Sequence, residues 1–483
     1  MELSYDILTC LILTLLICLY TSWSPAQSIL QPPPQGWLFS DRRYVMPPGP
    51  QGHLIVGSLL PWLRARSNGT VVPWLMEQAC YGELTTLKMG SKIWVLLNSG
   101  RVVNEIMAKQ ASITHERPHF PIGSDLVSRN KRILLKKTAS LGLLRAYLDE
   151  PKAWYAHNYR YAAAIMHKIV SNVTLDKSRE ELQELQRVHS TFLKSINSSI
   201  IDFFPRLAQL PRWLQFWRTH WEEMGMFHYD IYKHWWAGMA PSRDSNAVPS
   251  FVRDVVLKEY WGTEEEAMYL TMSVISAGVD NPPTVTNVWI MACLAYPATV
   301  QRAHDELERV CGVKANRLPS LDDLPRLPYM FAVVKECLRW KPTVPLVPQR
   351  VLVEDLEFEG YRFPAGTEFL VNSVPVCRNG YDQPTEFLPE RWLEDRNQDF
   401  WQFAFSAGRR SCVGYKVAQK MLFVAFARLL YCFDFSPASE LDDTKVNVSG
   451  PGEPFPLKVT ARSPEHERLI RDEAVKCDDI WGS

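Results

Sequence analysis

One stretch in the middle of the chain limits the fold more than any other: AMYLTMSVISAGVDNPPTVTNVWIMACLAY, in which only one residue is charged. Just before it, Thr263 and Glu266 have the spacing of a capping box, which starts a helix. The segment is apolar on nearly every face, so the helix must be covered by other elements on all sides. Because most of the chain beyond about residue 70 reads as amphipathic helix, we predict a mainly α fold around this central helix.

A small β region is also expected. ELTTLKMGSKIWVLLNS alternates around a Gly-Ser turn and predicts a hairpin, and RVLVEDLEFEGYRFPAGTEFLVNS reads as short strands joined by Glu-Gly and Pro-Ala-Gly turns. Pro297 predicts the start of another helix, which should end at Gly312. The last residues, SPEHERLIRDEAVKCDDIWGS, are expected to be a polar tail of little consequence.

The N-terminus predicts a membrane anchor. Residues 7–23 are apolar and uncharged over 17 residues, at the short end of the roughly 17 to 25 that one spanning helix needs. A cleaved signal peptide is the alternative, but a basic leader is missing, and Arg42 and Arg43 follow the segment, which places the rest of the chain in the cytosol. We expect a transmembrane signal anchor at residues 1–23, a proline-rich tether at 24–50 and one domain at 51–483.

Charge and cysteine usage exclude some classes of function. Lysine plus arginine equals aspartate plus glutamate, at 53 each, and no basic tract is interleaved with aromatic residues, so the sequence gives no indication of nucleic-acid binding. The ten cysteines are scattered without a CxxC pair, which argues against a zinc site. Most of them therefore read as reduced, buried thiols.

Cys412 is the exception. It lies in FAFSAGRRSCVGYKVAQ, between Gly408 and Gly414 and just before a predicted helix. A metal-ligating thiolate needs backbone N–H groups aimed at it and a helix N-terminus nearby, and the glycines would let the loop turn tightly against a flat macrocycle. Phe405 could pack on the same face, and Arg410 could pair with a carboxylate at the rim. The alternative is a glycine-bounded turn with one buried cysteine.

The residues Phe405, Gly408, Arg410, Cys412 and Gly414 together match F-x-x-G-x-R-x-C-x-G. This pattern resembles the haem-binding signature of the cytochrome P450 superfamily, in which the cysteine is the axial thiolate on iron. The resemblance implies that the chain has the P450 fold and binds haem b through Cys412. The order and spacing of the motifs look most like membrane-anchored enzymes of filamentous fungi that act in specialised metabolism.

Two further matches support this resemblance. KECLRW places Glu336 and Arg339 three residues apart, and FLPERW supplies Arg391, which together resemble the family's structural E-x-x-R and P-E-R-W triad. A surface ion pair is the alternative, but the flanking FAVVKECL is apolar, so the charges should point inward and be fully paired. Arg350 falls where the family often has a basic residue on a haem propionate.

The oxygen-activating part of the pattern is altered. AGVDNPP resembles the family's A-G-x-D/E-T-T and retains the acid, Asp280, but Asn281 and Pro282 replace the threonines. Two prolines leave two carbonyls of the preceding turn without helical partners, which would make a polar notch beside Asp280. Our hypothesis is that Asn281, Thr284 or a bound water replaces the missing hydroxyl. The alternative is that the prolines only kink the helix.

A second departure concerns the helix that carries W-x-x-x-R in the family and contacts a haem propionate. The corresponding stretch reads SRNKRILLKKTASLGLL, which has no tryptophan and is about a dozen residues short of the family pattern. The basic residues that could take over are Lys131, Arg132, Lys136 and Lys137.

The resemblance implies a monooxygenase of the endoplasmic-reticulum membrane. Its catalytic domain would face the cytosol, take electrons from NADPH through a cytochrome P450 reductase and insert one atom of O2 into an apolar small molecule such as a terpenoid, polyketide or indole. Arg409 and Lys416 would offer the reductase a basic surface. HFPIGSDLV and SIIDFFPRLAQLPRWLQFW are expected to line the substrate pocket.

Two alternatives remain open at this stage. One is a P450-type isomerase or peroxide-using enzyme that works without the usual proton relay. The other is a degenerate haem protein with a truncated propionate-binding helix. To separate the first alternative from a monooxygenase, we would compare turnover supported by NADPH and reductase with turnover supported by hydrogen peroxide. The spectrum of the reduced, carbon-monoxide-bound protein tests the second alternative.

Overall fold

The central helix is the longest element of the computed structural model, which describes residues 44–53, 55–114, 116–118, 141–172, 175, 178–239, 250–394, 403–439 and 455–475. It spans Glu264–Ala295, and most of its side chains are buried. Its capping box is formed, because Thr263 Oγ1 accepts from the Glu266 N–H at 3.2 Å and the Glu266 carboxylate accepts from the Thr263 N–H at 2.7 Å. The prediction of a buried central helix is therefore confirmed.

Helices dominate the rest of the described chain. In chain order the α-helices are α1 Leu59–Ser67, α2 Val71–Gln78, α3 Gly100–Val103, α4 Leu141–Asp149, α5 Trp154–Ser171, α6 Arg179–Ser195, α7 Ile200–Phe203, α8 Arg218–Met239, α9 Leu257–Glu259, α10 Glu264–Ala295, α11 Pro297–Cys311, α12 Pro328–Trp340, α13 Ser373–Arg378, α14 Arg391–Glu394, α15 Tyr415–Cys432 and α16 Pro464–Val475. Two further segments are π-helical. Asn104–Lys109 follows α3, and Val252–Val256 precedes α9.

The strands form three small sheets. They are β1 Leu84–Met89, β2 Lys92–Leu97, β3 Arg350–Val351, β4 Leu356–Phe358, β5 Tyr361–Phe363, β6 Glu368–Val371, β7 Phe433–Pro437 and β8 Leu457–Ala461. The largest sheet has the order β1-β2-β6-β3, in which β2 and β6 run parallel and the other neighbours antiparallel. The strand pairs β4-β5 and β7-β8 form the other two sheets. The predicted hairpin is β1-β2, and the predicted short strands are β3 to β6.

The core is built against α10 from several sides. Helix α5 packs so closely on it that a Cβ on Gly278 would lie 2.3 Å from Met166 Sδ, so the methionine side chain would have to shift to admit one. On another side, the rings of Trp289 and Phe426 stack at 4.4 Å between α10 and α15. These contacts fix the position of α10 relative to the segment that precedes α15, which contains Cys412.

The two ends of the chain differ from the expectations in part. Residues 44–50 belong to the predicted tether, yet they dock on the sheets: Thr86 N–H donates to the Pro48 carbonyl at 3.0 Å, and Arg362 N–H donates to the Val45 carbonyl at 2.8 Å. The expectation of an inconsequential polar tail is wrong for α16, because Ile470 is buried among apolar residues of the core.

The predicted membrane anchor at residues 1–23 lies outside the described residues, as does most of the tether. Among the helices that the structure describes, none combines the length and the apolar character that crossing a bilayer requires.

Candidate active site around Cys412

The cysteine loop, residues 405–414, holds the Cys412 sulfur next to the start of a helix. Cys412 N–H donates to the Phe405 carbonyl at 2.8 Å and closes the loop, and α15 begins directly after it at Tyr415. Burial raises the pKa of the Cys412 thiol above its ordinary value, and a hydrogen bond from the Gly414 N–H lowers it in part. The loop thus supplies one N–H donor and a helix N-terminus to the sulfur, which is the environment that a thiolate ligand needs.

Gly408 lets the cysteine loop approach another segment of the chain. Its φ is +68°, and a Cβ at this position would lie 1.9 Å from the Met107 carbonyl oxygen. The glycine therefore lets the cysteine loop contact the π-helical segment Asn104–Lys109, and its expected role in admitting a flat macrocycle stays a prediction. Gly414 has a φ of −85° and needs no left-handed conformation.

Three arginines, Arg117, Arg350 and Arg410, meet beside the cysteine loop; we call them the arginine cluster. Arg350 lies in β3 and is 2% exposed, and its Nη2 donates to Ser406 Oγ at 2.9 Å and to the Arg410 carbonyl at 3.1 Å. Its Nη1 is buried without a hydrogen-bond partner in the described part of the chain. Arg350 thus has one donor to offer to a bound group.

The arginine cluster is under electrostatic repulsion. Burial, followed by the charges of Arg117 and Arg410, lowers the pKa of Arg350 to about 9. Burial and the charge of Arg410 lower the pKa of Arg117 to about 10. Since guanidinium groups stay protonated at neutral pH, the cluster favours an anion such as a carboxylate.

Arg117 was not identified as a site residue from the sequence. Its Nη1 donates to the carbonyls of Pro348, at 2.6 Å, and Gln349, at 2.9 Å, just before Arg350. The residue is exposed to solvent, and its guanidinium is nevertheless partly desolvated by its neighbours. No spacing rule could have linked residue 117 to residue 350. The residues proposed to replace the missing propionate helix, Lys131, Arg132, Lys136 and Lys137, lie outside the described residues.

The predicted triad is brought together between α12 and the segment around α14. Arg339 Nε and Nη2 donate to Glu336 Oε2 and Oε1 at 2.9 and 2.7 Å, and Arg391 Nε donates to Oε1 at 3.2 Å. Glu336 and Arg339 are fully buried, so this is no surface ion pair. The carboxylate also accepts from the Leu388 N–H and from Trp392 Nε1, both at 2.8 Å. Trp392 is therefore a further member that the sequence reasoning did not assign.

The remaining N–H donors of the Arg339 guanidinium bind backbone carbonyls between residues 377 and 386. They reach the carbonyls of Cys377, Pro384 and Glu386 at 3.3, 2.8 and 2.9 Å. Every donor direction of the guanidinium is used, which is the condition for keeping a charge in the core. The triad therefore links α12 to the segment before α14 and has no free atom for chemistry.

A stripe of α10 is open to a cavity. Ala277, Asn281 and Thr284 lie at i, i+4 and i+7, and Asn281 is exposed although it stands in the middle of a buried helix. An exposed residue at such a place lines an internal space. The helix continues through Pro282 and Pro283, which have no N–H to give to the carbonyls four residues earlier.

Asp280 lies half-buried on the same helix. Desolvation raises the pKa of its carboxyl to about 6, so both of its protonation states are populated near neutral pH. The candidate hydroxyl of Thr284 donates to the Asp280 carbonyl oxygen at 3.2 Å, and Asn281 Nδ2 donates to the Ala277 carbonyl at 3.2 Å. Of the two proposed replacements for the missing alcohol, Asn281 is the more open to the cavity.

The segments expected to line a substrate pocket are only partly visible. HFPIGSDLV lies outside the described residues. SIIDFFPRLAQLPRWLQFW packs on the hairpin, where Ser91 N–H donates to the Phe203 carbonyl at 3.0 Å, and it leaves Trp213 and Phe216 81% and 61% exposed. These two aromatic side chains therefore face the surface and not a pocket.

The donor set of the site fits one kind of metal centre. In the described residues, no group of three or more His, Cys, Asp or Glu side chains could hold a metal ion. A metal bound through Cys412 would therefore need further ligands from outside the described residues, such as those of a macrocycle. The single sulfur, the arginine cluster with its unused donor and the open stripe of α10 fit a porphyrin with two propionates.

Comparison with known proteins gives the same indication. The family model described as Cytochrome P450 matches residues 156–455. The chain is 25% identical to the cytochrome P450 monooxygenase yanC of Aspergillus niger, over 89% of this chain and 91% of the relative. It is 28% identical to the echilunin cytochrome P450 monooxygenase of Aspergillus ruber, over 90% of this chain and 88% of the relative.

A solved structure shares the fold. A zebra fish cytochrome P450, determined with abiraterone, superposes with a TM-score of 0.62 at 20% sequence identity. The match covers 81% of this chain and all of the zebra fish chain.

Proposed function

The chain belongs to the cytochrome P450 family and is a haem-thiolate monooxygenase, and we propose that it inserts one atom of O2 into an apolar small molecule of fungal secondary metabolism. The observation that carries this proposal is the cysteine loop, where a single sulfur next to a helix start lies beside the arginine cluster. The names of the relatives, which are monooxygenases of Aspergillus, support the fungal context.

Haem, when bound, supplies an iron that accepts electrons and activates O2. Cys412 would bind the iron through its sulfur, with the Gly414 N–H donating to that sulfur. Arg350 Nη1, together with Arg117 and Arg410, would bind the propionates and remove the repulsion within the arginine cluster. Phe405 lies half-buried at the start of the cysteine loop and can pack beside the macrocycle.

The residues of α10 would control protons and water at this site. Asp280, with a pKa of about 6, can hold a proton and release it near neutral pH. Asn281 lies open to the cavity one residue further on and can orient a water where the family usually has a threonine hydroxyl. The carbonyls of Gly278 and Val279, which face Pro282 and Pro283, give that water further acceptors.

We propose that electrons come from NADPH through a cytochrome P450 reductase, which docks on the basic surface formed by Arg409 and Lys416. Both side chains are exposed beside the cysteine loop. We also propose the endoplasmic-reticulum membrane as the location, with residues 1–23 as anchor. The exposed Trp213 and Phe216 support a surface that rests on lipid, since aromatic side chains favour the membrane interface.

A second function is favoured by one specific observation, the replacement of the usual threonines by Asn281 and Pro282. An enzyme without that hydroxyl could use hydrogen peroxide, which needs no reductase and no delivery of protons to O2. Turnover measured with NADPH and reductase, in parallel with turnover supported by peroxide alone, distinguishes the two. We expect the NADPH-dependent reaction to dominate.

Carbon-monoxide binding tests the haem-thiolate assignment directly. The dithionite-reduced protein should show the red-shifted Soret band that thiolate ligation produces, and Cys412→Ser should lose it. Cys432→Ser is the matched control, because Cys432 is buried in the same helix region and should leave the band unchanged. A band that persists in Cys412→Ser, or that never forms in folded protein, would overturn the assignment.

A further inference from the structure

A further cavity lies between the N-terminal halves of α5 and α6; we call it the α5–α6 cavity. It holds about 790 Å³ of empty space, part of it open to solvent, and small-molecule sites typically have roughly 300 to 1,000 Å³. Among the described residues that line it, none belongs to the cysteine loop or to the open stripe of α10. The cavity is therefore a separate place for a small molecule.

The floor of the α5–α6 cavity is apolar and preformed. Tyr155, Tyr159 and Leu182 line it and are at most 5% exposed. The Tyr155 ring packs edge-on against Trp154, with the ring centroids 5.8 Å apart, and the Tyr159 hydroxyl lies 3.4 Å from His189 Nδ1. Because these contacts hold both rings in place, the floor suits an aromatic body that packs against them.

The rim of the cavity carries more positive than negative charge. In the described part of the chain, the guanidinium groups of Arg160 and Arg179 line it against one carboxylate, that of Glu150. His157 also lines it, and its Nε2–H donates to the Glu150 carbonyl at 2.9 Å. Burial, and then the charges of the two arginines, lower the pKa of His157. The imidazole is therefore neutral at neutral pH, and the arginines give the rim its positive sign.

Glu150 holds Arg179 only weakly. Arg179 Nη1 lies 3.6 Å from Glu150 Oε1, and the two side chains are 55% and 61% exposed. Ion pairs as exposed as this contribute little to stability, so Arg179 can turn towards a bound anion at small cost. Arg179 is also the first residue of α6, and the N-terminal end of a helix favours negative charge.

We propose that the α5–α6 cavity binds a small aromatic carboxylate. The ring of this ligand packs on Tyr155 and Tyr159, and its carboxylate accepts hydrogen bonds from Arg160 and Arg179. Apolar area and charge then select the ligand together, since the floor excludes a fully hydrated anion and the rim favours an anion over a neutral ring. The site goes beyond the proposed function, because its residues take no part in binding haem or O2.

Calorimetric titration of the haem-loaded full-length protein with 2-naphthoate tests this proposal. Ala156→Phe places a ring in the cavity, so the binding that this variant removes is the binding at the α5–α6 site. The comparison ligand is 2-naphthalenemethanol, which keeps the two rings and lacks the charge. We expect it to bind at this site at least about tenfold more weakly than naphthoate, because it cannot accept charged hydrogen bonds from two arginines.

Two arginine variants on the same helix make the result specific. Arg179→Met removes an exposed guanidinium of the rim and should weaken naphthoate binding on the order of tenfold. Arg187→Met is the matched control, because Arg187 is exposed on α6 and lies outside the cavity lining. It changes the net charge by the same amount and should leave the affinity unchanged.

The contradicting outcomes are distinct. Naphthoate binding that persists undiminished in folded Ala156→Phe would place the ligand elsewhere, and a lack of binding at millimolar naphthoate would show that the cavity takes no such ligand. Equal affinities for the acid and the alcohol, or for Arg179→Met and Arg187→Met, would show that the rim does not recognise the charge. Each of these results overturns the proposal. The titration needs no electrons and no O2, so it reports on the cavity even in a protein without monooxygenase turnover.

Discussion

The guanidinium of Arg339 donates to both carboxylate oxygens of Glu336, at 2.9 and 2.7 Å, in a place that solvent does not reach. Removing one partner leaves the other charge buried and unpaired. We therefore predict that Glu336→Gln lowers the free energy of unfolding by about 3 to 5 kcal/mol, measured by urea denaturation of the haem-loaded protein. Glu465→Gln, which removes an exposed partner of Arg468, should have no measurable effect. Equal losses in the two variants would contradict this account of the triad.

Arg117→Met should act in opposite directions on the haem-free and haem-loaded protein. Without haem it removes repulsion from Arg350 and Arg410, so stability should not fall. With haem it removes a charged donor worth about 1.5 to 3 kcal/mol, so haem loss should become at least about tenfold faster. Transfer of haem to an apoglobin measures this rate. Arg409→Met, an exposed neighbour, is the control, and an unchanged rate in Arg117→Met would remove this residue from the propionate site.

Asp280 should make the protein less stable as pH rises. Its pKa is raised from 3.8 to about 6 by burial, so between these values the folded state binds more protons than the unfolded state, and stability falls with increasing pH. Between about pH 5 and pH 8 we expect a loss of about 1.4 kcal/mol from this group. The measurement is urea denaturation at both pH values in the unchanged protein and in Asp280→Asn. The asparagine variant should lack this part of the pH dependence, and identical profiles would show that the carboxyl titrates normally.

Gly278→Ala should destabilise the contact between α5 and α10. The new Cβ would meet Met166 Sδ at 2.3 Å, and overpacking of this kind costs about 1 to 3 kcal/mol. Met166→Ala should restore part of the loss when combined with it, which thermal unfolding of the single and double variants would measure. Gly238→Ala, where no heavy atom lies within 4 Å, should instead be neutral or slightly stabilising. Additive effects at positions 278 and 166 would mean that the two residues do not interact.

Local spacing explains which parts of the fold could be predicted. The capping box of Thr263 and Glu266 and the three-residue step from Glu336 to Arg339 are set within one helix turn, so the sequence alone was sufficient to predict them. Helix α16 was missed because its many charges hide the few residues, His466, Leu469 and Ile470, that pack on the core.

Contacts between distant segments could not be predicted. Arg117 is 231 residues from Pro348, to whose carbonyl it donates. Gly408 is needed because of Met107, in a segment far earlier in the chain. In each case the sequence pattern identifies at most one residue of the pair, and the other residue becomes apparent only in the folded structure.

The repulsion among Arg117, Arg350 and Arg410 has a consequence for the life of the protein in the cell. A ligand that binds only the native chain stabilises it by mass action, and here the ligand also neutralises charges that the chain cannot neutralise by itself. We expect newly made polypeptide to be short-lived when haem is scarce, because quality-control proteases remove chains that open often. The abundance of the enzyme would then follow the haem supply without any dedicated regulator.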